Sequence, residues 1–317
     1  YFWQMKNKRL YGVLFICLFC LITFLIETLL RDIPNDYHNK KLLIEDKKAH
    51  IETLILGSSH AYVGLNPAVF SSPTFNLAYS SQTIDLDEKL FNAYKNKLPK
   101  LKNVLLPISY FSYVLALEDG SSADKIKNYN IYYSVYSHTH LLKNQLEILH
   151  ESLEKNFTRF EQYYLKNQSE IKIDQNGFIA KRFIKPKMDL NERANHAIQN
   201  HQKNLQDPLI QQRIKENIQS IENIAIWCQN NQVQLVLIST PTTPNYVQQL
   251  EQKQLLHWRN TTMYLAKKYP TTITWLNYLE HNESFDSIDF QDADHLSAQG
   301  AEKLSKLVEF QLKQNSK

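Results

Sequence analysis

Two short motifs contain the residues best suited to chemistry. Gly57-Ser58-Ser59 directly follows an apolar run, and Asp292-Ala293-Asp294-His295 precedes a segment of helical periodicity. A serine in a turn before a helix has an exposed hydroxyl near the positive end of the helix dipole, which suits a nucleophile. Asp292 and His295 can pair within one turn, which fixes the imidazole tautomer and leaves the other nitrogen to accept a serine proton. The two motifs together predict nucleophilic catalysis by a serine.

Each motif also has a structural interpretation. Serine is a preferred helix N-cap, so Gly57-Ser58-Ser59 alone favours capping. Aspartate is common in turns, so an Asp-x-x-His sequence alone favours a turn with a surface histidine. The occurrence of both motifs, in this order on one α/β chain, favours the catalytic interpretation.

The elements that position these motifs follow from apolar periodicity. Short apolar runs typical of strands alternate with segments of helical period, which predicts a parallel sheet with helices on both faces. The predicted fold class is therefore α/β, with three α/β/α layers. Reactive groups in such sheets lie beyond the carboxyl ends of the strands, where Gly57-Ser58-Ser59 falls. The predicted strands are residues 51–56, 74–77, 103–108, 232–239 and 271–276, and the predicted helices are residues 84–94, 210–228 and 298–312.

Residues 10–31 are the most apolar part of the chain and predict a single transmembrane helix, because about 20 apolar residues cross a hydrocarbon core of about 30 Å. Lys6, Lys8 and Arg9 precede this segment, so the positive-inside rule places the N-terminus in the cytoplasm and the rest of the chain outside the cell membrane. A cleavable signal peptide is the alternative. No small-x-small cleavage site follows Ile26, which favours an uncleaved anchor.

The chain after this segment divides by composition. Residues 32–50 are polar and predict a tether, and residues 51–317 predict one α/β domain with an insertion at about 112–207. Asn176-Gly177 predicts a hairpin at 171–180, since Asn-Gly favours the positive φ angles of a tight turn. The tyrosines of the insertion are expected to pack as a helical cap on the sheet, with a lid or a partner-docking surface as the open alternative. They are Tyr129, Tyr132, Tyr133 and Tyr136.

Charge and cysteine content exclude several function classes. The 36 Lys and Arg residues and 32 Asp and Glu residues are spread along the chain, so no basic groove for nucleic acid is predicted. Cys17 and Cys20 lie in the apolar N-terminal run, which leaves Cys228 alone and excludes a disulfide framework in the main domain. The acidic residues between 286 and 294 lack the Gly and terminal Glu of an EF-hand loop. No metal and no cofactor is predicted.

Three segments of the chain resemble the SGNH, or GDSL-like, hydrolase superfamily. They are Leu56-Gly57-Ser58-Ser59 after the first strand, residues 76–83 after the second, and Asp292-Ala293-Asp294-His295-Leu296 before the last helix. The resemblance implies an SGNH hydrolase-like sheet of flavodoxin-like topology. It also implies that Ser59, in the third position of the Gly-Asp-Ser pattern, is the nucleophile, with His295 as general base and Asp292 as its orienting carboxylate.

The chain departs from the family pattern at the oxyanion donors. Ser81 stands where the family has a glycine whose amide binds the oxyanion, and Pro107-Ile108-Ser109-Tyr110 replaces the Gly-x-Asn-Asp block. Ser81, Asn76 and Ser109 are the residues expected at the oxyanion or substrate, although Asn76 also fits a structural turn. His60 is expected to be a pocket wall or a structural residue. These departures make the chain similar to membrane-anchored members of the D-alanyl transfer and alginate acetylation systems.

The resemblance and the anchor together imply a function at the cell envelope. The expectation is a serine O-acyltransferase that moves an acetyl or similar acyl group to a cell-surface polysaccharide through an acyl-serine intermediate. Activated acyl donors are cytoplasmic, so a multi-span membrane partner, of the membrane-bound O-acyltransferase type, would deliver the acyl group. An O-acyl esterase and a non-catalytic scaffold or polymer-binding subunit are the alternatives.

Overall fold

The structure is a computed structural model that describes residues 2–137, 141–169, 171–179, 190–281 and 283–315. Five strands are formed by Thr53–Ile55 (β1), Thr74–Asn76 (β2), Asn103–Pro107 (β3), Gln234–Ser239 (β4) and Ile273–Asn277 (β5). The α-helices of these ranges are Phe2–Asp32 (α1), Asp36–Lys47 (α2), Ser59–Gly64 (α3), Ile84–Tyr94 (α4), Ile126–Asn128 (α5), Glu147–His150 (α6), Leu153–Phe160 (α7), Leu190–His201 (α8), Pro208–Asn230 (α9), Pro244–Gln248 (α10), Gln252–Lys268 (α11) and Ala298–Asn315 (α12).

The five strands form one parallel sheet in the order β2-β1-β3-β4-β5. Leu54, Val104 and Leu235, from three neighbouring strands, are fully buried, as expected where helices cover both faces of a parallel sheet. The α/β prediction is therefore confirmed. The order of the strands reverses between β1 and β3, and ligands of such sheets bind outside the carboxyl ends of the strands at this switch point.

Two helix pairs pack beside the strands that position the motifs. Phe91 of α4 meets Trp227 of α9 edge to face, with ring centroids 5.2 Å apart. In the other pair, the backbone N–H of Asn66, just after α3, donates to Ser305 Oγ of α12 at 2.8 Å. Since α3 follows β1 and α12 follows β5, this second pair brings the segment with the serine motif close to the segment with the histidine motif.

Contacts divide the chain into two compact units. One contains residues up to Asn39 together with Asp124–Ile171, and the other contains Lys40–Ala123 and Lys172–Lys317. The middle of the insertion expected at 112–207 thus groups with the apolar N-terminal helix rather than with the sheet. The reason is a set of buried polar contacts that the apolar pattern does not reveal, in which the carboxylate of Glu27 accepts the backbone N–H groups of Glu147 and Ile148 at 3.0 Å each.

The tyrosines of the insertion were expected to cap the sheet, and three of them are buried against partners within the first unit. Tyr129 packs edge to face on Tyr37 at 5.4 Å, and Tyr132 stacks on His38 at the same distance, all within the first unit. The hydroxyl of Tyr133 donates to the backbone oxygen of Tyr37. Their partners come from the polar segment after α1, which the sequence pattern marks as a tether.

That segment, residues 32–50, is not an extended tether, because most of it forms α2. Lys40 of α2 is buried, donates to the backbone oxygen of Ala78, and lies 4.6 and 4.3 Å from the ring centroids of Tyr62 and Tyr79. Aromatic faces attract a cation, so the two tyrosine rings stabilise the buried ammonium group of Lys40. A polar composition therefore conceals a packed helix.

The turn predicted at Asn176-Gly177 exists, with only one antiparallel bridge, between Ile173 and Ile179, in its described part. Gly177 has φ +78°, and the Asn176 carbonyl accepts the N–H of Asn76 at 2.9 Å. The turn therefore satisfies part of the free edge of β2. Residue 180 of the predicted hairpin lies outside the described residues.

The N-terminal helix α1 is 31 residues long, and its part Leu10–Asp32 is long and apolar enough to cross a membrane. Most of its apolar side chains, among them Phe15, Phe19 and Phe24, are exposed. A helix of this length and composition is consistent with the expected single-pass anchor. Its orientation remains a prediction from the flanking charges.

Gly300, in the first turn of α12, tests how tightly the loop before this helix is packed. A Cβ at residue 300 would overlap the backbone oxygen of Asp289. We therefore expect Gly300→Ala to lower the free energy of unfolding by about 1–3 kcal/mol, the usual cost of overpacking. Gly120→Ala is the control, because its Cβ would meet no atom closer than 3.7 Å. Denaturant unfolding of the purified full chain measures both, and equal stability of the two variants would contradict the packing described here.

Candidate active site

The turn after β1 separates the roles of the two adjacent serines. Gly57 has φ +113°, and a Cβ there would lie 3.1 Å from Cδ of Pro107, so the turn requires glycine. Ser58 is the N-cap of α3, and its Oγ accepts the backbone N–H of His60 at 3.5 Å. Ser59 is the first residue of the helix. The capping interpretation therefore applies to Ser58 and leaves the hydroxyl of Ser59 for another partner.

The loop before α12 is closed by short-range hydrogen bonds. Phe290 and Leu296 form an antiparallel bridge, and Asp292 Oδ1 accepts the backbone N–H groups of Asp294 at 3.2 Å and His295 at 2.8 Å. The same oxygen lies 3.0 Å from Nδ1 of His295. Asp292 thus shapes the loop and orients the imidazole at once.

The two motifs meet although they are 236 residues apart in the chain. Nε2 of His295 lies 2.8 Å from Oγ of Ser59, on the side of the ring opposite to Asp292. The side chain of His295 is 23% exposed, so the pair is open to solvent. The structure therefore brings Ser59, His295 and Asp292 together in the arrangement that allows a histidine to accept a serine proton.

A second carboxylate, that of Asp294, also faces the histidine. Its Oδ1 lies 3.2 Å from Nδ1 of His295, and its side chain is buried. Sequence analysis assigned only Asp292 to this position, because the spacing of three residues favours it. Both aspartates of the motif face Nδ1 of His295. The Asp-x-Asp-His pattern offers two candidate carboxylates, but it does not show which of them contacts the histidine.

The two carboxylates change the protonation of the site. Burial lowers the pKa of His295, but the charge of Asp294 and the hydrogen bonds with both aspartates outweigh it and raise this pKa to about 10. Burial would raise the pKa of Asp294, yet the imidazolium of His295 holds it well below its usual range. The site therefore stabilises the imidazolium, which is the form produced when Ser59 gives up its proton.

His60 supports this arrangement from behind. Its Nδ1 lies 2.6 Å from Oγ of Ser109 and 3.2 Å from Oγ1 of Thr240, and its Nε2 lies 3.4 Å from Oδ2 of Asp294. With hydroxyl donors at Nδ1, the remaining N–H points at Asp294. His60 is thus a buried residue with a structural role, which was one of the two expectations for it. It helps to fix the carboxylate of Asp294.

Sequence analysis missed His201, at the end of α8. It stacks on Phe111 with ring centroids 3.8 Å apart, and its Nδ1 lies 3.0 Å from the hydroxyl of Tyr246 and 3.9 Å from Asp294. Burial lowers the pKa of His201 to about 4, so it stays neutral beside the charged pair. No signal in the sequence marks this histidine, because it lies within the insertion and far from both motifs.

Two of the three residues expected to bind the oxyanion or substrate make hydrogen bonds within the protein. The side-chain amide of Asn76 donates to the backbone oxygens of Ala61 and Leu65 at 2.9 and 3.0 Å, and its oxygen accepts the Ala78 N–H. It is fully buried and ties α3 to the end of β2, so the structural alternative applies. The hydroxyl of Ser109 lies 2.6 Å from Nδ1 of His60 and its backbone N–H donates to Ser112, and its expected substrate contact remains a prediction.

The third residue, Ser81, has a backbone that fits its expected role. It lies in the turn after β2 with φ +65°, in the left-handed region that favours glycine. The resemblance places a family glycine at this position, and the conformation explains why a glycine suits it. Its role as an amide donor to the oxyanion remains a prediction.

The same histidines and aspartate are the only described cluster with metal-ligand geometry. Ligand atoms of His60, Asp294 and His295 lie within 4.8 Å of one another. Within this cluster, Nε2 of His60 and Nδ1 of His295 face the Asp294 carboxylate at 3.4 and 3.2 Å.

Comparisons with known proteins give only distant similarities. No protein-family model matches the chain, and no curated protein matches it. Among solved structures, it is similar to a candidate acylhydrolase from Bacteroides fragilis, with 9% identity over 89% of this chain and 96% of the other and a TM-score of 0.43. A GDSL-like lipase from Bacteroides thetaiotaomicron has 12% identity over 88% of this chain and 99% of its own, with a TM-score of 0.41. Similarity at this level does not indicate what the chain does.

The carboxylates beside His295 predict how the reactivity of Ser59 depends on pH. The raised pKa of His295 leaves little neutral imidazole near neutrality, so the rate of Ser59 labelling by a fluorophosphonate should still increase above pH 8. Asp294→Asn removes a charge that favours the imidazolium, and this lowers the pKa of His295. The midpoint of the pH–rate curve should therefore move about 1–3 units toward acid.

The control for this measurement is Glu283→Gln, which changes an exposed carboxylate that precedes the same loop. It should leave the midpoint unchanged. An Asp294→Asn protein that folds normally and keeps the midpoint of the parent chain would contradict the influence of Asp294 on His295.

Proposed function

We propose that the chain is a serine acyl-transfer enzyme that forms a covalent acyl-Ser59 intermediate. The observation that carries this proposal is the 2.8 Å distance between Ser59 Oγ and His295 Nε2, with Nδ1 of the same ring facing Asp292 and Asp294. A nucleophile, a base and an orienting carboxylate in hydrogen-bond reach are the parts that activate a serine hydroxyl.

In the first half-reaction, Oγ of Ser59 attacks the carbonyl carbon of an ester while Nε2 of His295 takes the hydroxyl proton. Asp292 and Asp294 stabilise the imidazolium that forms. The carbonyl oxygen becomes an oxyanion, and the N–H of Ser59 at the start of α3 is suited to bind it, because a helix leaves its first amides without an intrahelical acceptor. Collapse of the intermediate breaks the ester bond, and His295 returns the proton to the departing alcohol.

In the second half-reaction, an acceptor hydroxyl attacks the acyl group on Ser59. His295 takes the acceptor proton and then gives it back to Oγ of Ser59, which restores the free site. A sugar hydroxyl as acceptor makes the enzyme a transferase, and water makes it an esterase. Both reactions use the same residues.

Transfer to a surface glycopolymer is the function we favour, because the chain has an apolar helix suited to membrane anchoring. An anchored domain stays beside a membrane partner that delivers the acyl group from the cytoplasm, and tethering raises the effective concentration to the order of mM. A freely secreted esterase gains less from such a helix. The acceptor polymer, the delivering partner of the membrane-bound O-acyltransferase type and the outward orientation are parts of this proposal.

A non-catalytic scaffold is the second candidate, and one observation favours it. The side-chain amide of Asn76, in the family-like segment 76–83, donates to two backbone oxygens. The hydroxyl of Ser109 bonds to His60. An oxyanion hole without a side-chain amide stabilises the transition state less, and loss of one such donor lowers turnover by about 10²–10³ in other enzymes. A polymer-binding subunit would tolerate this loss.

Substitution of the proposed residues separates an enzyme from a scaffold. Ser59→Ala and His295→Ala should each lower turnover of a small activated ester by about 10⁴-fold or more, because the members of such a site act as a unit. Asp292→Asn should cost less, since Asp294 still faces Nδ1 of His295. Ser58→Ala is the matched control, because its hydroxyl caps α3, and it should retain activity. Equal activity of the Ser59→Ala and Ser58→Ala proteins would favour the scaffold.

Partition of the acyl-enzyme separates transfer from hydrolysis. The full chain, acylated by a small activated ester, is mixed with buffer alone or with a soluble oligosaccharide bearing free hydroxyls. A transferase should deacylate at least tenfold faster with the sugar and should yield the acyl-sugar as product. Release of the free acid at the same rate in both mixtures would identify an esterase instead.

A further inference from the structure

Helix α7 buries a polar residue and exposes two apolar residues. Asn156 is 5% exposed and donates toward the backbone oxygens of Ile148 and Glu151, whereas Leu153 and Phe157 are 78% and 67% exposed. A helix on the surface of a water-soluble domain normally buries its apolar stripe and exposes its polar residues. Here the apolar pair Leu153 and Phe157 is exposed while Asn156 is buried, so water is not the solvent that this face fits.

Exposed apolar residues are frequent in this region. Leu153 and Phe157 are four residues apart and therefore lie on one side of α7. The patch on residues 141–165, all within the first unit, consists of these two residues and Leu141, Leu142, Leu149, Tyr164 and Leu165, each at least one-third exposed. A concentration of exposed apolar residues on one short segment suits contact with a membrane or a protein.

Specific contacts hold this patch at the C-terminal end of α1. The hydroxyl of Tyr164 donates to the backbone oxygen of Leu29 at 2.9 Å, and the guanidinium of Arg31 donates to that of Gln145 at 2.8 Å. Glu27, buried near the end of α1, accepts two backbone N–H groups at the start of α6. The patch is therefore tied to the last two turns of the helix, which is where a transmembrane span meets the lipid headgroups.

The end of α1 beside this contact also exposes apolar side chains. Leu25, Ile26 and Leu29 of α1 are exposed, and Tyr164 of the patch bonds to the backbone of Leu29. A side chain that contacts lipid on the span thus has neighbours on the patch. The segment 141–169 carries four basic and four acidic residues, so attraction to anionic lipid is not its main property.

We propose that the patch on residues 141–165 lies in the lipid interface of the bilayer that α1 crosses, with Leu153 and Phe157 inserted among the upper acyl chains. This proposal rests on α1 as a membrane span and does not depend on the chemistry at Ser59. The first unit then has two membrane contacts, a crossing helix and an amphipathic helix in the plane of the interface. Apolar insertion, rather than charge, provides the second contact.

The test uses the full chain reconstituted alone in phosphatidylcholine vesicles, with one tryptophan added by substitution. Phe157→Trp reports on the patch. Lys155→Trp is the matched control, since it is two residues away, about 200° around α7, and also exposed. The signal of each added tryptophan is the difference from the parent chain. It is measured with brominated phosphatidylcholine as the lipid quencher and with iodide as the aqueous quencher.

The tryptophan of Phe157→Trp should be quenched at least twofold more by the brominated lipid than that of Lys155→Trp, and should be protected from iodide. Leu153→Trp should repeat the result of Phe157→Trp, which guards against a local effect of one substitution. Equal iodide quenching of all three tryptophans, with no response to brominated lipid, would overturn the proposal. That outcome would mean that the patch faces water in pure lipid and is covered by a protein partner instead.

Discussion

One backbone N–H, that of Gly57, controls the position of the serine. It donates to Asp87 Oδ1 at 2.7 Å, and the same carboxylate oxygen accepts the side-chain amide of Gln82 at 2.5 Å. Burial raises the pKa of Asp87 to about 7, yet either protonation state retains an oxygen that can accept the Gly57 N–H. The left-handed turn at residue 57 then starts α3 directly, and Ser59 meets His295 only because α3 begins there. The sheet provides the strand ends, but this hydrogen bond sets the direction in which the chain leaves β1.

A balance of charge follows from the position of Ser59. Asp292 and Asp294 both stabilise the positive charge on the imidazole of His295. The consequence is that His295 is mostly protonated at neutral pH, so little of it is available as a base. His60 and His201 both adjoin Asp294, and His201 stays neutral because burial disfavours its charged form. The local charge is therefore concentrated on the ring of His295, which faces Oγ of Ser59.

The sheet and the two motifs could be predicted because each depends on local sequence. The apolar runs at 103–108 and 232–239 correspond to β3 and β4, and the Asp-x-x-His spacing correctly brings Asp292 to His295. Contacts between distant segments could not be predicted. The contact between His60 and Asp294 joins residues that are 234 positions apart. The packing of α2 could not be predicted either, because the tyrosine rings that stabilise its buried Lys40 come from elsewhere in the chain. Asn76 was ambiguous for the same reason, since one amide can bind either a substrate or the backbone of a neighbouring helix.

The distance of 236 residues between Ser59 and His295 also determines when the site first exists during biosynthesis. A ribosome that adds about 5–20 residues per second needs roughly 10–50 s to pass from the serine to the histidine. Throughout that interval the nascent chain carries a serine hydroxyl with no base and no orienting carboxylate, so its reactivity is that of an ordinary alcohol. The helix that closes the loop, α12, is made after all five strands. If Ser59 is the proposed nucleophile, its activated reactivity requires that translation has passed the last strand and that α12 has formed, so it would mark a finished fold.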